Sequence, residues 1–439
     1  MKYAIFLVPL LSLAACSVGD TDETLGDSTE ALNGALSSEG FLVMPARNFA
    51  SSEEVLRRAD TRAYYSGPRT RLALTGSGPS LSSLGTLQNF KDRYGLNAGS
   101  GTAVSYYNKG DLGLGRDMHC REGFPTSGET ACYVSNYAAG SDEFTFGLSA
   151  DIAFDNLANK PPVATVAMVF RDPTLIVASD RDSVIFAVYD GAGALTDTAA
   201  LDRHGIGFQA AYNLAPGTNP PGLGTPGTNF NNHYPSNCLN CHGGVYAGGS
   251  VSAAVFLPFD LDQFQFPALA PPSAAQQTSF RALNQMVRKV ASSLSSTSLV
   301  TQIDGWYDNS TPLAGNFNSG YVPTAWKNTA GHSDNESVYF NVVRRSCRGC
   351  HLTIPNATLH FDTPTDFLNQ ARLGDFLLNN KMPHALQTQR EFWQSNQPVL
   401  LENFLVNNGK SAVANQLHSA GPGQIVTLDP PQIASAALF

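Results

Sequence analysis

The sequence predicts a multidomain α+β protein: a β-rich N-terminal domain followed by two mainly α-helical, loop-rich units. Three observations predict it. Short runs rich in β-branched and aromatic residues, separated by Gly, Asp and Pro, crowd the first half of the chain. Residues 214–237, "LAPGTNPPGLGTPGTNFNNHYPSN", are too dense in Pro, Gly and Asn for a helix or a central strand. Two copies of Cys-x-x-Cys-His then follow, "CLNCH" at 238–242 and "CRGCH" at 347–351, with helical patterns after or around each. At 439 residues the chain can hold two or three compact domains. The divisions expected are 38–203 for the β-rich domain, 204–330 and 331–412 for the two pentapeptide units, and 413–439 for a Pro- and Ala-rich tail without a clear element.

The N-terminus, "MKYAIFLVPLLSLAAC", has Lys2, an apolar stretch from Ala4 to Leu13 that is too short to span a bilayer, and then small residues. Residues 1–15 therefore read as a signal peptide. Leu13-Ala14-Ala15-Cys16 resembles the lipobox of bacterial lipoproteins. The resemblance implies cleavage before Cys16, lipidation of that cysteine and, with Ser17 next, an anchor in the outer membrane facing the periplasm. An ordinary cleaved signal with an incidental cysteine is the plainer alternative. Residues 16–37 are acidic and polar, as a flexible tether would be.

Charged residues make up 14% of the chain, acids outnumber bases 36 to 27, and the net charge is -9. No basic footprint for a phosphate backbone is present, which argues against a nucleic-acid partner.

Within the β-rich region, "SSEEVLRRADTRAYY" carries a capping-box pattern at Ser51 and Glu54, and Leu84, Leu87, Phe90 and Tyr94 share a helical face ended by Gly95. "TAVSYYN", "ACYVSNY", "VATVAMVF", "TLIVA" and "VIFAVY" are the strand candidates, and "YDGAGAL" reads as a hairpin turn. After the first pentapeptide, "AAVFLPFDLDQFQFPALAPP" is irregular. Phe280, Leu283, Val287, Val290 and Leu294 then keep helical spacing. Ser333 and Glu336 suggest a second capping box opening a helix that delivers the chain to Cys347. "REFWQSNQPVLLENFLVNN" reads as a closing apolar helix stopped at Gly409.

Outside the cytoplasm a thiol pair either oxidises or is occupied by a cofactor. Cys120 and Cys132 lie in "DMHCREGFPTSGETACYV", where turn residues separate two short extended runs, so a disulfide across a hairpin is the expectation.

Cys-x-x-Cys-His is the pattern of covalent c-type haem attachment: two sulfurs become thioethers and the adjacent histidine lies beneath the ring, where it can bind iron. On this reading Cys238 and Cys241 hold one haem with His242 as its proximal ligand, and Cys347 and Cys350 hold a second with His351. A shared zinc site would need the pairs far closer in sequence, and a thioredoxin-like dithiol would need a βαβ context that neither copy has. Arg344, Arg345 and Arg348 around the second copy read as partners of haem propionates or as a solvated helix face.

Met382, in "KMPHA", follows His351 by thirty-one residues and precedes a proline. The stretch from about 334 to 410, with a helix before the pentapeptide, a Met-Pro loop and a closing helix, resembles class I cytochromes c. That resemblance implies Met382 as the distal ligand of the second haem, with core packing of Met382 as the alternative and His360 and His384 as lesser candidates. For the first haem the distal ligand is less legible: Met286 is the leading candidate, although it sits in a helical pattern, and His204, His233, Met118 and His119 are others.

The expectation is a di-haem c-type cytochrome, lipid-anchored in the cell envelope, passing single electrons between redox partner proteins. A competing expectation rests on resemblance to di-haem cytochrome c peroxidases, in which a Met-ligated haem feeds a second haem that binds a small oxidant. The β-rich region has no counterpart in that family. A third reading gives residues 38–200 a ligand of their own and leaves the haems to carry electrons away.

Overall fold

The computed structural model describes residues 52–66, 84–97, 99–140, 149–172, 184–197, 234–247, 250–354, 359–369 and 385–420. The signal peptide, Cys16, the tether, "TLIVA", Ser51, His204, His233, Met382 and His384 lie outside the described residues.

Six antiparallel strands form the main sheet, in the order β5-β4-β3-β2-β1-β8. They are β1 (Thr102–Asn108), β2 (Leu114–Glu122), β3 (Glu129–Tyr137), β4 (Ala164–Arg171), β5 (Ile185–Asp190) and β8 (Phe264–Gln265). The central strand β3 is buried along nearly its whole length because both faces of the sheet are covered. A separate two-stranded ribbon, β6 (Val245–Ala247) with β7 (Ser250–Ser252), follows the first pentapeptide.

Helix α1 (Ser52–Ser66) protects the β5 edge. The Tyr64 hydroxyl accepts from the Phe186 amide at 2.8 Å, and the Tyr65 hydroxyl accepts from the Val188 amide at 3.2 Å. These outward amides would otherwise be open ladder donors. Helix α2 (Leu87–Arg93) is capped by Thr86 and ends at Tyr94 and Gly95, as its periodicity predicts. Helix α3 (Ala150–Asn159) lies against β2 so closely that a Cβ at Gly115 would stand 3.0 Å from the Ala153 carbonyl oxygen.

Beyond the first pentapeptide, α5 (Ala274–Ser293) packs on β1 and α6 (Thr297–Trp306) packs on α5. Ser273 and Gln276 form a reciprocal capping box on α5, an arrangement that contributes about 1 kcal/mol. Phe280 reaches Tyr106 of β1 and Phe264 of β8. One hydrophobic core therefore runs from Tyr64 through the sheet to Leu313 and Leu352, joining residues on both sides of the 203/204 division.

A second core is built from Trp326, Tyr339, Phe361, Phe367, Phe404 and their neighbours. Into it feed α7 (Asn335–Val338), a π-helical stretch over Tyr339–Cys347, α8 (Arg348–His351) and α9 (Pro364–Leu368). Helices α10 (Leu386–Trp393), α11 (Gln397–Asn407) and α12 (Ser411–Ala420) close it.

Three expectations change here. The Ser333–Glu336 capping box does not form; Glu336 instead exchanges hydrogen bonds with Asn328. The closing helix is two helices, because Pro398 starts a new one after the break at residues 394–396. The tail begins in helix: α12 runs past residue 412 and seats Ala414 and Leu417, one turn apart, in the second core.

A pair of pentapeptides sharing one wall

Helix α4 (Ser236–His242) carries the first pentapeptide. Gly243 and Gly244 follow it with φ of 65° and 86°, and a Cβ at Gly244 would meet the Ser252 carbonyl oxygen at 2.5 Å. This turn, open to glycine alone, brings Val255 alongside His242. The pair exchange two hydrogen bonds: the Val255 amide donates to the His242 carbonyl at 2.9 Å, and His242 Nδ1 donates to the Val255 carbonyl at 2.8 Å. In the second copy His351 Nδ1 donates to the Leu359 carbonyl at 2.7 Å, and Phe361 stacks on the imidazole at 4.3 Å. A carbonyl oxygen only accepts, so Nδ1 bears the proton in both rings and each Nε2 keeps its lone pair. Burial pushes both imidazoles down to about 4, which leaves them neutral at pH 7.

The two copies, distant in sequence, pack against each other. The Cys350 thiol meets Cys241, and that contact, with burial, holds it well above the usual thiol range. Thr353 Oγ1 donates to the Cys241 carbonyl. Burial pushes the Cys347 thiol up to about 12. Among the described residues no three His, Cys, Asp or Glu side chains converge to hold a metal ion.

Beside Cys241 and Cys350 lies a cleft with about 910 Å³ of atom-free space, solvent at its mouth included. Its floor is one face of the main sheet. Strand alternation decides which residues of "GRDMHC" reach it: Arg116 and Met118 line the cleft, while Asp117 and His119 point the other way, paired at 2.9 Å. His119 also stacks on Tyr133. Arg116 is paired with Asp111, yet its Nε is buried without a hydrogen-bond partner. Cys120 and Cys132 face each other across β2 and β3 and are joined as a disulfide.

The chain matches no family model, curated protein or solved structure.

The other candidates fall in different places. Met286 lies on α5, partly buried against the main core, and is not among the residues lining the cleft. Both ring nitrogens of His360 are engaged, with Ser298 at 2.8 Å and the Ile354 carbonyl at 2.6 Å. Arg348 is buried among protein partners, contrary to its reading as a surface or propionate-binding residue. It contacts Asp260, Asp262 and the Tyr339 hydroxyl. Sequence reasoning missed Asp260, Val255 and Leu359. Two carboxylates inside the apolar run "FLPFDLDQF" were the available signal for a buried ion pair; the carbonyl partners of the histidines had none.

Proposed function

We propose that this chain is a di-haem c-type cytochrome of the bacterial cell envelope, lipid-anchored through Cys16, that passes single electrons between redox partner proteins. The observation that carries the reading is the contact between Cys241 and Cys350, which sets two Cys-x-x-Cys-His segments side by side, each with an imidazole Nε2 free.

The residues present fit the group. Cys238 and Cys241 would hold one haem by thioether bonds, and Cys347 and Cys350 the other. His242 and His351 would each offer Nε2 to iron. Their Nδ1 hydrogen bonds to Val255 and Leu359 fix the ring orientation and raise the basicity of the ligand nitrogen. The buried, unpartnered Nε of Arg116 on the cleft wall suits a haem propionate. When bound, each haem supplies one-electron chemistry at its iron. The chain's part is to bring both attachment points to one wall and to keep the imidazoles neutral and fixed. The separate helical core around Trp326, with the second pentapeptide at its edge, supports a class I-like unit there.

The test is the haem count of the full chain, produced with the c-type maturation machinery and measured as the alkaline pyridine complex. Two haems per chain are expected, falling to one in Cys238→Ser/Cys241→Ser and in Cys347→Ser/Cys350→Ser. A parent protein without covalent haem would end the proposal. Electron paramagnetic resonance of the oxidised protein then separates the carrier from the peroxidase-type reading: two low-spin signals belong to the carrier, and one high-spin signal belongs to a haem open to a small oxidant.

A further inference from the structure

We infer that Met118 supplies the second axial ligand of the first haem, an assignment that rests on the di-haem reading. A planar group bound to His242 through Nε2 and held through Cys241 has one face toward the α4 wall of the cleft. Its other face would be turned to the remaining cleft-lining side chains, and the sheet supplies several of these. Of the side chains that the sheet turns into the cleft, the thioethers of Met118 and Met168 are the neutral soft donors suited to haem iron.

The two methionines differ in their surroundings. Met168 also lines the cleft but is only 4% exposed and is packed as part of the main core. Met118 packs against that core from its margin and keeps accessible surface within the cleft, next to Arg116 on the same strand face. A donor buried in the core would have to give up more of its packing to reach iron than one at the core's margin, which favours Met118. The floor beneath it is rigid. Met118 pairs with Val104 on one side and Val134 on the other, and the Cys120–Cys132 disulfide ties β2 to β3 two residues further along. A ligand on a cross-linked central strand is held in place better than one on a loop. The same alternation that turns Met118 inward turns His119 outward to Asp117 and Tyr133, which removes the neighbouring imidazole from competition.

The experiment compares the intact haem-loaded protein with Met118→Leu, Met168→Leu, Met286→Leu and Met118→His. Leucine keeps the apolar volume, so folding is preserved while the thioether is lost. The readouts are haem count, the electron paramagnetic resonance spectrum of the oxidised form, the bound-methionine methyl resonances of the reduced form and the reduction potential of each haem. The expected result is two haems retained in every variant. One low-spin signal converts to high-spin and one methionine methyl resonance disappears in Met118→Leu alone. Met118→His returns the low-spin signal with a lowered potential for that haem only, since imidazole favours ferric iron relative to a thioether. Two haems with an unchanged spectrum in Met118→Leu would overturn the assignment and leave the di-haem reading standing, as would conversion in Met168→Leu or Met286→Leu instead. A parent protein with fewer than two haems would overturn both.

Discussion

Arg348, the first variable residue of the second pentapeptide, forks onto Asp260, a residue of the loop after the first. Its Nε and one terminal nitrogen meet the two carboxylate oxygens at 2.8 and 2.7 Å, with both side chains almost wholly buried. The guanidinium also lies 5.1 Å from the Trp306 ring centre. The ion pair fixes the second pentapeptide to the loop that frames the first.

Removing one partner of this pair leaves the other charge buried. Arg348→Ala is expected to cost about 3–5 kcal/mol in denaturant unfolding. Arg348→Met with Asp260→Leu should recover most of that loss. Additive single effects in this double-mutant cycle would show that the pair is not coupled.

The edge of the sheet gives a second prediction. Tyr64→Phe and Tyr65→Phe each remove an acceptor from a buried β5 amide, at a cost of about 1–2 kcal/mol. Hydrogen exchange should quicken at Phe186 and Val188 in the respective variants. Unchanged protection at both amides would mean that the hydroxyls do not guard the edge.

Cys120 and Cys132 enclose a short loop, and cross-linking a loop of this size restricts the unfolded chain by about 3 kcal/mol. Cys120→Ala/Cys132→Ala should lose stability of that order while keeping its haem count. Loss of a haem in this variant would tie the disulfide to attachment rather than to the sheet.

Glu391 on α10 supplies a pH dependence. Burial raises its carboxyl above the ordinary value, with Lys109 and Gln387 pulling the other way. A carboxyl raised on folding takes up a proton as the chain folds, so its contribution to stability grows as pH falls through the folded value. Glu391→Gln should therefore be more stable than the parent at pH 7. The advantage should vanish below about pH 4, where the parent carboxyl is neutral in both states. A gain independent of pH would point to packing.

Much of the sheet was legible because β1, β3, β4 and β5 are rich in β-branched and aromatic residues, and α5 because Phe280, Leu283, Val287 and Val290 keep one face. Strand β2 was harder. "LGRDMHCRE" puts Arg116 and Met118 on a cleft wall and Asp117 and His119 on a polar surface, so its alternation does not separate apolar from polar. The pentapeptides announce their histidines, but the carbonyls of Val255 and Leu359 that orient them belong to the fold. Arg348 was misread because charge in a sequence suggests solvent until its partner is known, and Asp260 stands far upstream. The distal candidate of the second unit, Met382, lies outside the described residues.

On the di-haem reading, the meeting of Cys241 and Cys350 bears on the order of events during biogenesis. These thiols touch only after the chain has closed, and there burial holds the Cys347 thiol protonated, while the contact with Cys241, with burial, does the same for Cys350. On the di-haem reading, both pentapeptides must be loaded while the chain is still open, and closure then seals two finished attachments behind one wall. A chain closed with one pentapeptide unloaded would keep that pair of thiols out of reach, so on this reading loading belongs before closure.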